Sequence, residues 1–321
     1  VNEFELIRTC FASQPVSRPD VRVGIGDDAA VFRVPGGMET AITSDVLVAG
    51  VHFFADADPV SIGHKSLAVN LSDLAAMGAE PAWFLLDLTM PSVDVPWVQR
   101  FAEGAFGVAR RFNVQLIGGD MSRGPLAIGI TAIGLVPEGG AILRSDARPG
   151  DQIYVTGDLG DAALSLMQHR GELKLSVAES AAITDRLARP MPRVDESLAL
   201  RGIASSAIDL SDGLLADLGH VLEASAVGAR LELARVPLSS VYRARLAEIG
   251  WEGAIANGDD YELCFTVPPE RIPDLERMAA ERRFVITRIG EITEDRELDV
   301  RDPAGKPYRP RALGHDHFAP A

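Results

Sequence analysis

Five short stretches of this chain set an acid behind an apolar run or a glycine turn. They are Gly24-Ile-Gly-Asp27-Asp28, Thr43-Ser44-Asp45, Asn70-Leu71-Ser72-Asp73, Ile117-Gly118-Gly119-Asp120 and Ile208-Asp209-Leu210-Ser211-Asp212-Gly213. Taken singly, each aspartate is about as well explained as a helix cap or a turn residue. The set is harder to explain that way, because like charges about 4 Å apart repel by roughly 4 kcal/mol at an effective dielectric near 20. Acids that converge need cations or protons in order to coexist. Mg²⁺ suits them, since it takes oxygen ligands, keeps water and completes its shell with substrate phosphates. One oxygen-rich pocket for divalent cations is therefore the expectation. The glycines at 24 and 26 let the backbone bend and come close to a ligand.

Other phosphate chemistries lack their motifs. There is no G-x-x-x-x-G-K-[ST] loop, no G-x-S-x-G and no H-E-x-x-H, and His169-Arg170-Gly171 lacks the catalytic aspartate of a protein kinase. Gly24-Ile-Gly26 lacks the third glycine of a dinucleotide fingerprint. Lysine occurs only at 65, 174 and 306, so a phosphate must be met by arginine, backbone N–H groups or metal ions. Arg123 and Arg144 are the best clamps on offer, although either could serve as a surface ion pair. His52 is singled out only because it follows Asp45 by seven residues. Cys264, in an apolar run, reads as core.

The totals narrow the class. A chain of 321 residues with 47% hydrophobic content makes two domains or one large one. A net charge of −15, from 46 acids against 31 bases, argues against nucleic acid and anionic membranes as partners. Two distant cysteines form no zinc or redox motif, and no run of 18 apolar residues exists. The first residues carry Glu3 and Glu5 and lack a basic n-region and an apolar h-region. A reduced, cytoplasmic setting is expected.

Helices and strands alternate throughout, so the class is α/β, α+β-like, with two domains (1–148 and 149–321), each a mixed sheet packed with helices. Asn2 and Glu5 resemble a cap for an opening helix whose face is Phe4, Ile7 and Phe11. Val31–Val34 and Glu39–Thr43 read as neighbouring strands, the second delivering Ser44 and Asp45. Asp58-Pro59 starts a helix that stops at Gly78, with Asn70, Asp73 and Met77 on one face. These polar residues on an apolar helix need a partner. Asp94 and Pro96 start a second helix reaching Phe112. A buried strand, Val114–Ile117, ends at Gly118-Gly119-Asp120; Leu126–Val136 and Ile142–Arg144 follow. The second domain is expected to hold strands at 152–156, 207–210, 229–233, 262–267 and 285–290. Its helices are expected at 161–169, 177–187, 214–225 and 268–282, with a further helix after Pro190 and Pro192.

With these motifs in order, the chain resembles the thiamine-monophosphate kinase family, from about Phe4 to Phe318. The resemblance is carried by Gly24-Ile-Gly-Asp-Asp28, Thr43-Ser-Asp45 running on to Gly50-Val-His-Phe53, and Asn70-Leu-Ser-Asp-Leu-Ala-Ala-Met-Gly78. Gly118-Gly-Asp120, Ala207-Ile-Asp-Leu-Ser-Asp-Gly213, Gly258-Asp-Asp-Tyr-Glu-Leu263 and Asp316-His-Phe318 complete it. The family shares a superfamily with aminoimidazole ribonucleotide synthetase and selenophosphate synthetase. The resemblance implies a homodimer whose N-terminal sheets join across the interface. It implies ATP as co-substrate, several Mg²⁺ with K⁺ as an optional further cation, and thiamine monophosphate as acceptor. The product would be thiamine diphosphate, formed by direct in-line transfer with no covalent nucleophile and no catalytic side chain.

By motif, the metal ligands would be Asp28, Thr43, Ser44, Asp45, Asp73, Asp120, Asp209 and Asp212. Gly119, Asp120, Arg144 and Ser211 would meet the nucleotide, and His52, Asp259 and His315 the thiamine phosphate. The family commonly has Glu at 259 and Trp or Tyr at 315, so this chain sets a shorter acid and a smaller ring against thiamine. Two other readings stand beside this one: ATP-dependent activation of an amide oxygen, as in aminoimidazole ribonucleotide synthetase, and a regulator that binds nucleotide or metal without turnover.

Overall fold

The computed structural model describes residues 3–314. The chain divides into two compact units, Val1–Ala75 with Ala79–Ala141, and Ala76–Gly78 with Ile142–Ala321. Both are mixed α/β structures in which helices pack on a sheet.

The first unit runs α1 (Glu3–Cys10), β1 (Val21–Val23), β2 (Val31–Phe32), β3 (Met38–Val48) and α2 (Pro59–Ala76). It continues with β4 (Glu80–Met90), α3 (Val95–Phe112), β5 (Gln115–Arg123) and β6 (Ala127–Pro137). Its main sheet has the order β3-β6-β4-β5, antiparallel except for the parallel β4–β5 pair, and leaves β3 on an edge. The ends of α3 follow from local chemistry. Asp94 accepts from Trp97 N at 3.1 Å, a proline sits in the first turn, and Asn113 closes the helix in the left-handed conformation at φ 54°. Helices α2 and α3 come into backbone contact at two glycines. A Cβ on Gly63 would overlap the Phe101 carbonyl, and one on Gly104 the Val60 carbonyl.

Several expectations are corrected here. β2 pairs with β1, not with β3, which takes β6 along its whole length. The opening helix turns Leu6 and Cys10 inward, with Phe11 just beyond it, and leaves Phe4 78% exposed. Asn2 lies outside the described residues. β5 does not end at Asp120 but continues to Arg123, and Ile142–Arg144 forms no strand: a 3-10 turn covers Arg144–Asp146 instead. Met121 and Ser122 extend the alternation past the glycine pair, so the backbone keeps pairing with β4.

The second unit holds β7 (Gln152–Thr156), α4 (Asp161–His169), α5 (Val177–Ala188), α6 (Val194–Leu200), β8 (Ser206–Asp209) and α7 (Leu214–Ser225). It continues with β9 (Gly228–Glu232), α8 (Ser240–Ile249), α9 (Glu252–Ile255), β10 (Leu263–Val267), α10 (Ile272–Arg282), β11 (Ile286–Thr293) and β12 (Leu298–Arg301). Its sheet order is β12-β9-β11-β7-β10-β8. The core gathers Ile153, Val155, Leu164, Ile208, Leu218 and Ile289, and Cys264 is buried within it as expected. Helix α8 and strand β12 were not anticipated. Ser239 caps α8 by accepting from Tyr242 N, but the helix has too weak an apolar stripe to be read from sequence.

β10 runs antiparallel to both β7 and β8. The loop leaving β7 (157–160), the loop leaving β8 (210–213) and the loop entering β10 (257–262) therefore emerge at one end of this sheet. Among the described residues no helix is long and apolar enough to cross a membrane.

Candidate functional site

In the first unit, the partner that Asn70 and Asp73 need is strand β3. Asn70 Oδ1 accepts from Asp45 N at 3.2 Å, while its amide donates to Ser66 O at 3.1 Å. The Thr43 hydroxyl donates to Asp73 Oδ2 in a short hydrogen bond. Thr43, Asp45 and Asp73 thus form one cluster on the α2 side of β3. Burial, and then the Asp73 charge, push the Asp45 carboxyl up to about 6. An acid lifted by its neighbouring acid is a place where a cation gains energy, and every donor here is a hard oxygen. The cluster fits Mg²⁺.

The other face of the same sheet is different. Ser44 Oγ lies 2.9 Å from Thr131 Oγ1, and cross-strand register aligns Val46, Gly129, Asp87 and Asp120 in one row. Asp120 N donates to Asp87 Oδ1 at 3.0 Å, and Ser122 Oγ donates to Asp120 Oδ2 at 2.7 Å. Asp45 belongs to the opposite face, in the row of Ile130, Leu86 and Gly119. Three interstrand steps separate its row end from β5, roughly 14 Å. With ligands at about 2.1 Å, one Mg²⁺ does not reach both Asp45 and Asp120 of a single copy. Asp28 is exposed in a turn, where its N–H donates to Asp27 Oδ1 at 2.9 Å. His52 is half-buried, and its Nδ1 accepts from Val48 N at 3.0 Å.

In the second unit, Asp209 closes β8 and is buried, while Ser211 and Asp212 sit half-buried in the loop before α7. Asp217 Oδ2 accepts from Asp212 N and Gly213 N at 3.1 and 3.0 Å, fixing that loop. Burial, and then the Asp212 charge, raise the Asp217 carboxyl to about 7. Asp259 N donates to Ser211 O at 2.9 Å, so Asp259 and the Ser211–Asp212 loop are neighbours. Arg144 is exposed, and its carbonyl accepts from Ser225 Oγ at 2.7 Å. His315 lies outside the described residues.

Among the described residues no group of three or more His, Cys, Asp or Glu side chains is placed to hold a metal ion. What the structure brings together is Thr43 with Asp45 and Asp73, Asp120 with Asp87, and Asp209, Ser211 and Asp212 with Asp259. Sequence reasoning missed Asp87, Asp217 and Glu262. Asp87 had a readable signal: it is the one charge inside the apolar run Trp83–Met90. Glu262 stands in the motif at 258–263, but its arginine partners lie 69 and 76 residues away and could not be read.

Known proteins resemble this chain in sequence and fold. The AIR synthase related protein, N-terminal domain, matches residues 26–136, and the C-terminal domain of the same description matches residues 148–303. The thiamine-monophosphate kinase of Escherichia coli (strain K12) is 46% identical over 321 residues, covering 99% of this chain and 98% of that one. The chain belongs to the thiamine-monophosphate kinase family. A crystal structure of thiamine-monophosphate kinase from Stenotrophomonas maltophilia K279a superposes with a TM-score of 0.85 at 41% identity, covering 91% of this chain and 93% of that one. The solved structure of AaThiL complexed with AMPPCP and TMP gives a TM-score of 0.78 at 30% identity, covering 91% and 92%.

Proposed function

We propose that this chain transfers the γ-phosphoryl group of ATP directly to the phosphate of thiamine monophosphate, releasing ADP and thiamine diphosphate. The observation that carries the reading is the Thr43–Asp45–Asp73 cluster, an all-oxygen site whose two acids repel each other. A solved relative that holds AMPPCP, an ATP analogue with an unreactive β–γ bridge, together with TMP supports the choice of substrates.

In this reading Asp28, Thr43, Ser44, Asp45, Asp73 and Asp120 of the first unit, and Asp209 and Asp212 of the second, hold Mg²⁺, with K⁺ as an optional further cation. Mg²⁺, when bound, neutralises phosphate charge and aligns the attacking and leaving oxygens. Gly119, Asp120, Arg144 and Ser211 meet the nucleotide. His52, whose Nδ1 is engaged by the Val48 backbone, touches the thiamine phosphate. Asp259 and His315 face thiamine, where a carboxylate balances the thiazolium charge. The acceptor is a phosphate oxygen already deprotonated near neutral pH, so no side chain has to act as base or nucleophile.

The working form in this reading is a cytoplasmic homodimer. β3 is an edge strand and exposes Ile42 and Val46, at 63% and 57%, on the face that also carries Ser44. A second copy would cover that edge and those side chains.

An acceptor panel tests the reading. The protein is mixed with Mg-ATP and, separately, thiamine monophosphate, thiamine, or the amide substrate of aminoimidazole ribonucleotide synthetase. ADP release that requires thiamine monophosphate supports it. Release driven by the amide substrate, or no release with any acceptor, refutes it.

A further inference from the structure

Beneath the loops of the second unit lies a buried charge cluster that the proposed chemistry does not use. The Glu262 side chain is 1% exposed. Its carboxylate accepts from Arg193 Nε at 2.6 Å and also from Arg193 Nη2, from Arg186 Nη2 at 2.8 Å and from Thr156 Oγ1 at 2.5 Å. Arg186 donates in addition to Asp158 O at 2.8 Å in the 157–160 loop. A Cβ on Gly157 would run into the Glu262 carboxylate, so the loop backbone lies directly against it. Taking the Glu262 charge and most of two guanidinium groups out of water is costly, and apolar residues of similar volume often stabilise a core as well. The cluster calls for a reason other than stability.

The loop that Glu262 ends supplies one. Asp259 and Tyr261 both hold left-handed backbone, at φ 70° and 48°, a conformation that non-glycine residues adopt rarely and that persists only where the surroundings impose it. Three main-chain hydrogen bonds zip this loop onto the end of β8: Asp259 N to Ser211 O, Tyr261 N to Leu210 O, both 2.9 Å, and Leu210 N to Glu262 O at 2.8 Å. Gly258 completes the contact, since a Cβ there would overlap Ser211 O. Any shift of Glu262 is therefore passed to Asp259 on one side and to the Asp209–Asp212 loop on the other.

We propose that Glu262, clamped by Arg193 and Arg186, is a positioning residue that holds the strained 257–262 loop and thereby sets the spacing between Asp259 and the Asp209–Asp212 acids. The inference rests on the function proposed above for those acids. It makes Glu262 a determinant of thiamine-phosphate and Mg²⁺ affinity without touching either.

The test compares Glu262→Gln and Arg186→Lys with the wild type. The Michaelis constant for thiamine monophosphate and the half-saturating Mg²⁺ concentration are measured, since neither depends on what fraction of a preparation is folded. Calorimetric titration with Mg²⁺ alone gives a readout independent of turnover. Expected is a rise in both constants of about tenfold or more for Glu262→Gln, the size typical of outer-shell changes. A smaller rise is expected for Arg186→Lys, which keeps the charge, and this variant decides the matter if Glu262→Gln does not fold. Unchanged constants and Mg²⁺ affinity, with only a lowered melting temperature, overturn the inference. A wild type inactive on thiamine monophosphate removes the proposed function instead, and the Mg²⁺ titration then still decides whether Glu262 sets the acids: weakened binding in the variants upholds it, equal binding refutes it.

Discussion

Asp45 and Asp73 show how much one pair of side chains can determine. Burial, and after it the Asp73 charge, raises Asp45, and a divalent cation would convert the repulsion between the two acids into binding energy. Asp73→Asn should lower turnover at saturating ATP by roughly 10²–10³-fold, the range seen when one preorganised electrostatic partner is removed. Circular dichroism and the melting temperature should stay near wild type, because Asn can still accept from Thr43. Near-wild-type turnover would remove Asp73 from the ligand set. The acids of this cluster were legible in the sequence, because an Asp on an otherwise apolar helix invites the question of its partner. Which residue answers was not legible, since Thr43 lies 30 positions away and only the pairing of β3 with β6 orients it. Glu262 was passed over because its partners are distant in the chain, and Asp87 although its place as the one charge in the run Trp83–Met90 could be read.

Elements carry these residues, and two of their junctions are testable. Asp73 rides on α2, which meets α3 backbone to backbone through Gly63 and Gly104. Gly104→Ala should destabilise the first unit by about 1–3 kcal/mol, the usual cost of overpacking, although alanine favours helix in isolation. A lower urea midpoint checks this; an unchanged or higher one contradicts it. In the second unit, Glu179 links the start of α5 to α8 through Arg245, with paired contacts of 2.9 Å. The Arg245 hydrogen bond first, and the Ser176 backbone second, depress its carboxyl from 4.5 to about 2. A depressed folded-state value means that the contribution is complete above about 4.5 and fades as pH falls toward about 2. Glu179→Gln should therefore melt earlier than wild type at pH 7, and the gap should shrink as pH is lowered from 4.5 to 3. A gap that stays constant with pH would contradict the assignment. Local rules made the long helices readable: α3 has the Asp94 cap and the proline, and ends at Phe112, as the sequence led one to expect. Strand partners were not readable. β2 turned to β1 because pairing depends on chain geometry beyond a short window.

At the scale of the whole molecule, a chain of net charge −15 is asked to bring together ATP and a second phosphate, all of one sign. In the proposed reading, bound cations would invert that local balance and make the acids an asset. Fold class and family were legible from the order of the acid motifs, since seven segments spread over the chain are hard to match by accident. The separation of those acids onto two sheet faces was hidden until β3 proved to be one long strand that carries Thr43 and Asp45 inward and Ser44 outward. The central claim is a single direct transfer between two bound anions. Its most direct test is to supply ATP labelled with ¹⁸O at the γ-phosphate, together with thiamine monophosphate and Mg²⁺, and to weigh the products by mass spectrometry. The account predicts the label in the terminal phosphate of thiamine diphosphate, with ADP formed in equal amount and none of the label on the protein. Labelled inorganic phosphate without thiamine diphosphate, or a labelled protein intermediate, would contradict it.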